Sequence, residues 1–204
     1  MKFLPHLFLM FFGLISCNNP TVQLRDVTKE LKEEVINLKT VESQKTFLET
    51  ILEIDQKVRT DSKDALQKYG YESDEVLEAN QKMMSVDEEN IMKIEQYLEI
   101  HGHPTIDKHG KDAAMAPWVV IHHVPECCTI RETNFKYLYE AMKKEDLDDG
   151  AFRLYLYRWN KMKFGNEIEW DRPFKPQEDI DTLVKVLNLQ KFVTEVDQKL
   201  KEEI

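Results

Sequence analysis

Apolar residues recur every three or four positions along most of the chain, the spacing of helices that bury one face. The first run lies among many Glu and Lys residues and comprises Leu24, Val27, Leu31, Val35 and Leu38. Similar spacing returns in nearly every later segment, between short stretches that hold Gly, Pro or Asn. The pattern therefore predicts helices almost throughout.

Helix start and stop signals divide the middle of the chain. Thr40 or Ser43 is a plausible N-cap for a helix that continues to Gly70. Two further helices are expected before Gly102, one starting near Ser73 and one over Asp87–Ile100.

The next segment, residues 113–124, is predicted to be a helix capped by Asp112. Pro117 is compatible with that helix only near its first turn. Trp118–Ile121 is the one strand candidate, because periodicity cannot distinguish a short apolar run from a buried helix. Asp148 or Asp149 is expected to open a later helix, and Asn188 to end another in a left-handed conformation.

The predicted fold class is all-α, an irregular bundle of about seven to nine helices. Residues 1–16 read as a signal peptide, residues 17–42 as a lipidated tether with a first helix, and residues 43–204 as a single helical domain.

The N-terminus has the pattern of an export signal. Lys2 is followed by a largely apolar run, Phe3–Ile15, that is too short to span a bilayer stably. The run ends in Leu14-Ile15-Ser16-Cys17, which resembles the lipobox of bacterial lipoproteins. The resemblance implies cleavage before Cys17, a diacylglycerol on its sulfur and a further acyl chain such as palmitate. The alternative is an ordinary secretory signal with a chance cysteine.

Charge narrows the possible partners. The formal net charge of −10, with no basic patch, argues against a nucleic-acid partner. It also argues against adhesion to anionic headgroups, so the lipid on Cys17 would hold the protein to the membrane. The expected address is the bacterial cell envelope, with the outer membrane favoured over the inner. The sequence indicates no cofactor.

Two cysteines remain after Cys17, and they are adjacent. A disulfide between Cys127 and Cys128 needs a strained ring, although an oxidising envelope permits one. Two unbridged thiols are the preferred interpretation on geometric grounds.

Five histidines lie within residues 101–123: His101, His103, His109, His122 and His123. Imidazoles are common metal ligands, but this spacing matches no familiar metal signature. Neighbours on a helix also diverge by about 100°, which keeps His122 and His123 from facing one ion easily. Core or capping histidines are preferred, and no metal site is predicted.

A polar cluster, Asp55-Gln56-x-x-Arg59, stands on the second predicted helix. Asp55 and Arg59 are four residues apart and share one helix face. A solvated surface pair is the ordinary explanation of that spacing. The sequence has no G-x-S-x-G, phosphate-binding loop or dinucleotide fingerprint.

Several short motifs occur in a fixed order from about Phe47 to Phe192. They are Asp55-Gln56 with Arg59, Asn90, Gly102 with Pro104-Thr105, Gly110, Ala113-Ala114, His123, Arg158, Phe164-Gly165-Asn166-Glu167 and Asn188-Leu189. In this order the chain resembles a bacterial family catalogued only as a domain of unknown function. That family shows D-Q with a nearby R, then G-W-P-T, Q-H, D-R, Y-G-T-Q and G-L-P.

The resemblance implies an all-α fold but no substrate. His103 stands where the family has Trp, and His122 where it has Gln. Tyr157 precedes Arg158 in place of the family's Asp. If the family site is catalytic, these departures imply an altered or lost activity in this chain.

Two functions follow as hypotheses. The first is an envelope lipoprotein whose helical domain binds a protein, a glycan or a small ligand. The second is a hydrolase-type enzyme with His123 as base, Asp55 orienting it, and Gln56 or Arg59 holding an anionic or carbonyl group. A purely structural role, in which these residues tie helices together through buried hydrogen bonds, explains the same residue types.

The enzyme hypothesis needs Asp55, Arg59, Asn90 and His123 in one concave site, so their clustering discriminates between the two hypotheses. We expect Asp55, Arg59 and His123 to meet in the fold, because His123 ends a segment of small residues that allows close helix packing. Further candidates for ligand contact, drawn from the same motifs and the histidine-rich loop, are Gln56, Asn90, His101, Gly102, Pro104 and Arg158.

The lipobox generates a direct prediction. Cys17→Ala should release the protein from the membrane fraction, because no acyl chain is then attached. Fractionation with a high-salt wash measures this, and Cys128→Ala serves as the matched control that stays membrane-bound. A Cys17→Ala protein that still sediments with membranes would contradict the lipobox interpretation.

Overall fold

A computed structural model describes residues 29–125, 128–165, 168, 173 and 175–203. Every regular element among them is a helix, which confirms the all-α prediction. The helical residues 29–36 are called α1. The others are α2 (Val41–Tyr69), α3 (Asp74–His101), α4 (Ile106–His109), α5 (Lys111–His123), α6 (Cys128–Lys143), α7 (Asp149–Phe164), α8 (Pro176–Leu187) and α9 (Gln190–Glu202). The signal sequence, Cys17 and Cys127 lie outside the described residues, and Cys128 carries a free thiol.

Helices α2 and α3 form a long antiparallel hairpin. Thr40 and Ser43 together close a capping box at the start of α2. Ser62 near the end of α2 bonds Asn80 near the start of α3, which sets the antiparallel register.

Helix α5 is the centre of the bundle. It packs against α2, α3, α4, α6 and α7. Its buried face is made largely of small residues that allow close approach: Ala113, Ala114, Ala116, Pro117, Val119, Val120 and Ile121. The bond from Trp118 Nε1 to the Ala151 carbonyl, 2.7 Å, joins α5 to α7.

The helix predicted over residues 113–124 is present as α5, but two expectations about it are wrong, the position of Pro117 and the identity of the N-cap. Trp118–Ile121 is part of this buried helix, which excludes the strand alternative. Pro117 lies in the middle of α5, where contacts with five other helices offset its missing N–H. The N-cap of α5 is Gly110, with φ of +83°, and Asp112 makes no capping bond.

Of the remaining predicted helix boundaries, some agree with the structure and others are corrected by it. The two helices expected around Ser73 and Asp87–Ile100 are one continuous helix, α3, because no Gly or Pro interrupts the sequence between them. Asp148 caps α7 through the backbone N–H groups of Gly150 and Ala151, and Asn188 ends α8 with φ of +62°. The sequence predicted both caps.

Helices α6 to α9 pack around a cluster of aromatic rings. Phe152 lies at its centre and stays within 6 Å, between ring centroids, of Phe135, Tyr139 and Tyr155. The Phe152 side chain is fully buried. One continuous set of buried residues joins this cluster to α2, α3 and α5.

Phe152→Ala should lower the free energy of unfolding by about 3–5 kcal/mol, because it leaves a cavity among the rings. Phe164→Ala is the matched control, since Phe164 ends the same helix and is 47% exposed. Its effect should stay below about 1 kcal/mol. Urea unfolding monitored by far-UV circular dichroism measures both, and equal losses would contradict the packing described for Phe152.

Candidate functional site

The Asp55 carboxylate is fully buried at the middle of α2 and receives hydrogen bonds from three side chains. Gln56 Nε2 donates at 2.8 Å, Arg59 Nη2 at 3.0 Å and Arg59 Nε at 3.3 Å. His123 Nδ1, at the end of α5, lies 3.1 Å from both carboxylate oxygens. These contacts use the whole acceptor capacity of a carboxylate. The meeting of Asp55, Arg59 and His123 that the sequence predicted is observed.

Arg59 extends this cluster to a third helix. Its Nη2 also donates to Oδ1 of Asp87 on α3. Burial alone would raise the pKa of Asp55, but hydrogen bonds from His123 and Arg59 outweigh it and hold the pKa below its ordinary value. Burial raises the pKa of Asp87, and the nearby Arg59 charge opposes this without cancelling it.

The His123 ring has one nitrogen committed and one open. Nδ1 lies 2.8 Å from Arg59 Nε as well as beside Asp55, and one ring nitrogen cannot both donate and accept. We assign the proton to Nδ1, because an unprotonated nitrogen would face two carboxylate oxygens. Arg59 Nε then donates to Asp55. Among the described residues nothing bonds Nε2, and the side chain is 22% exposed.

Asn90 lies at the level of Asp55 on the facing helix. It is one turn after Asp87 on α3, while Asp55 is one turn before Arg59 on the antiparallel α2. The Asn90 side chain is buried, and its Nδ2 makes no hydrogen bond within the described part of the chain. A buried donor without an acceptor lowers the stability of the fold.

Arg158 on α7 completes the cluster from a fourth helix. It lies two turns after Ala151, the residue bonded by Trp118, and therefore on the face of α7 that meets α5. His122 lies one turn after Trp118 on α5, and the rings of these two residues stack with their centroids 5.1 Å apart. Burial and the charge of Arg59 lower the pKa of Arg158. Burial, followed by the charge of Arg158, lowers the pKa of His122 to about 4.

The four helices α2, α3, α5 and α7 thus bring together one set of polar side chains, here called the four-helix cluster. It comprises Asp55, Gln56, Arg59, Asp87, Asn90, His122, His123 and Arg158. Asp87 was not predicted as a site residue, and His122 was considered as a metal ligand, as a core or capping histidine and as a departure from the family pattern, but not as a member of this cluster. The three-residue spacing of Asp87 and Asn90 on one helix was the available signal for Asp87.

The other three candidates lie elsewhere. His101 is eleven residues beyond Asn90 on α3, a rise of about 16 Å, and its Nε2 bonds the Val35 carbonyl at 2.9 Å. Gly102 ends α3 with φ of +74°, a conformation that suits glycine, and Pro104 is buried in the turn that follows. All three therefore lie at the far end of the α2–α3 hairpin.

That far end holds a second polar network, centred on Gln44. Its Oε1 accepts from Tyr97 Oη at 3.3 Å and His109 Nε2 at 3.0 Å. Its Nε2 donates to the Leu38 carbonyl at 3.0 Å and to His101 Nδ1 at 3.4 Å. His109 Nδ1 accepts from a backbone N–H at 3.1 Å, so both histidines use both ring nitrogens.

The histidines of residues 101–123 thus lie in different parts of the structure. His103 bonds the Pro104 carbonyl, and burial lowers its pKa to about 4. Across the residues described, no three His, Cys, Asp or Glu side chains are placed to hold a metal ion.

Comparison of the chain with family models, with curated proteins and with solved structures gave no match. The family resemblance drawn from the motif order remains an expectation.

The opposite pKa shifts of Asp55 and Asp87 predict opposite pH dependences. A carboxyl with a lowered pKa stabilises the fold above about pH 4 and loses this effect as the pH falls. Asp55→Asn should therefore cost about 3–5 kcal/mol at pH 7 and progressively less below pH 4. A carboxyl with a raised pKa favours the fold when protonated, so wild type should lose stability relative to Asp87→Asn as the pH rises from about 4. Urea unfolding between pH 3 and 7 measures both, and slopes of the same sign would contradict this account.

Proposed function

We propose that the mature chain is a lipid-anchored lipoprotein of the bacterial cell envelope whose helical domain binds a small ligand at the four-helix cluster. The supporting observation is the incomplete bonding of that cluster. Asn90 Nδ2 and the Arg158 guanidinium have no hydrogen-bond partner among the described residues, and His123 Nε2 of the same cluster also has none there.

The Gln44 network provides an internal comparison. A polar network that only ties helices together is expected to satisfy its buried donors and acceptors, and the Gln44 network does so. The four-helix cluster buries more charged groups and leaves some of its donors without hydrogen bonds. Such a site fits a ligand that supplies the missing acceptors better than a purely structural role.

The envelope address rests on the lipobox ending at Cys17, and the outer membrane is favoured over the inner. In the described part of the chain, no helix is both long and apolar enough to cross a membrane. A recessed polar site suits a small ligand better than a protein or glycan partner, whose contacts need wider surfaces.

A second candidate, a hydrolase-type enzyme, is favoured by one specific observation. Asp55 fixes His123 through Nδ1 and leaves Nε2 facing outward, the arrangement in which a carboxylate orients a histidine base. In that function His123 Nε2 would take a proton from water or from the substrate, while Arg59 holds Asp55 in place.

A thermal-unfolding screen tests both. The lipidated protein in detergent is heated with a panel of small carboxylates, phosphates, sugars and amines. Ligands of the cluster should raise the melting temperature of wild type and of His101→Gln, the matched control at the C-terminal end of α3. They should not raise that of His123→Gln. Compounds that stabilise all three proteins equally would contradict the proposal.

The compounds that bind also distinguish binding from catalysis. They are incubated with wild type and analysed by mass spectrometry. Conversion by wild type that is lost in His123→Gln indicates the enzyme, whereas recovery of unchanged ligand indicates the binding protein.

A further inference from the structure

We infer that the ligand of the four-helix cluster carries an oxyanion, a carboxylate or a phosphate group, and that Arg158 and Asn90 bind it. This inference rests on the proposed function and names the chemical class of the ligand. It follows from which groups in the cluster have partners and which do not.

Arg158 is the unmatched cation of the cluster. Arg59 is already shared between Asp55 and Asp87, whereas no carboxylate or carbonyl among the described residues bonds Arg158. Arg158 is nevertheless half-buried, against the α5 face that carries His122. A guanidinium held in such a place presents a planar fork of N–H groups, which matches the paired oxygens of carboxylates and phosphates.

Asn90 supplies a second donor that lacks an acceptor. Its Nδ2 is buried without a hydrogen bond, at the level of Asp55 and next to the Arg59–Asp87 pair. Two donor groups of the cluster, Asn90 Nδ2 and the Arg158 guanidinium, therefore still need acceptors, and the unbonded His122 Nδ1 also donates when it carries the ring proton. An acceptor-only group such as an oxyanion satisfies them, whereas an amine would add donors to a site that already has too many.

The two carboxylates of the cluster do not oppose this. The Asp55 oxygens are fully used by Gln56, Arg59 and His123. Asp87 is bonded by Arg59, which places a positive charge beside it. The approaching anion therefore meets Arg158 and Asn90 while both carboxylates face other donors.

Inorganic phosphate and succinate are the probes, titrated separately into the lipidated protein in detergent with chloride keeping the ionic strength constant. Circular dichroism follows the melting temperature. At least one probe should give a saturable rise for wild type. Arg158→Gln should weaken the apparent affinity by about tenfold or more, and Arg158→Lys should weaken it less, because lysine keeps the charge but loses the fork. Lys163→Gln, an equal charge change at an exposed site of α7, should bind as wild type does.

Asn90→Leu separates binding from folding. Replacing an unsatisfied buried amide by an apolar group of similar size should leave the melting temperature without ligand unchanged or higher, while the anion binds more weakly. A merely structural Asn90 would instead lower that temperature. If phosphate and succinate both fail to stabilise wild type at any concentration, the inference is wrong. It is also wrong if Arg158→Gln binds as tightly as Lys163→Gln does.

The result also separates this inference from the proposed function. If neutral compounds from the screen bind wild type but not His123→Gln, and neither oxyanion binds, then the ligand site stands and the oxyanion assignment fails. If compounds stabilise His123→Gln as well as wild type, the site itself fails. Preference between phosphate and succinate identifies which of the two oxyanions the cluster recognises.

Discussion

The fold depends on how a fully buried carboxylate, Asp55, is kept charged. An ionised group without water needs several donors, and α2 alone supplies only Gln56 and Arg59. The third donor, His123, requires the end of α5 to lie against the middle of α2. Arg59 in turn reaches Asp87 and fixes α3 against the same point. One buried charge thus sets the relative position of three helices.

The two polar networks on α2 differ in how completely their polar groups are hydrogen-bonded. The Gln44 network joins α2, α3 and α4 with every ring nitrogen used, and it leaves nothing for a ligand. The four-helix cluster joins α2, α3, α5 and α7 but keeps open donors at Asn90 and Arg158. Buried ion pairs seldom add much net stability. An incompletely bonded charged cluster therefore lowers the stability of the fold relative to a better-bonded network such as the one at Gln44.

The sequence could predict contacts between residues close together on one helix better than contacts between helices. Asp55 and Arg59 are four residues apart on one helix, so local spacing was enough to pair them. His123 entered through motif order and small-residue packing. Asp87 was missed because its partner Arg59 lies on another helix, and the only local signal was its three-residue spacing from Asn90. His101, Gly102 and Pro104 were grouped with the site through the motif order and the histidine-rich loop, yet a 28-residue helix places them at its far end. The position of Pro117 was misjudged for a related reason, since contacts with five other helices stabilise α5 around it.

An oxyanion site also has to work against the charge of the whole protein. A formal net charge of −10 repels anions at long range, but salt at physiological strength screens such repulsion beyond about 8 Å. Within the cluster, partial burial keeps the attraction of Arg158 from being screened to the same extent. Recognition must therefore come from short hydrogen bonds and not from a general positive field. The candidate donors meet this requirement by position, since Asn90 is buried and Arg158 is half-buried, so that short hydrogen bonds and not long-range attraction would hold an oxyanion.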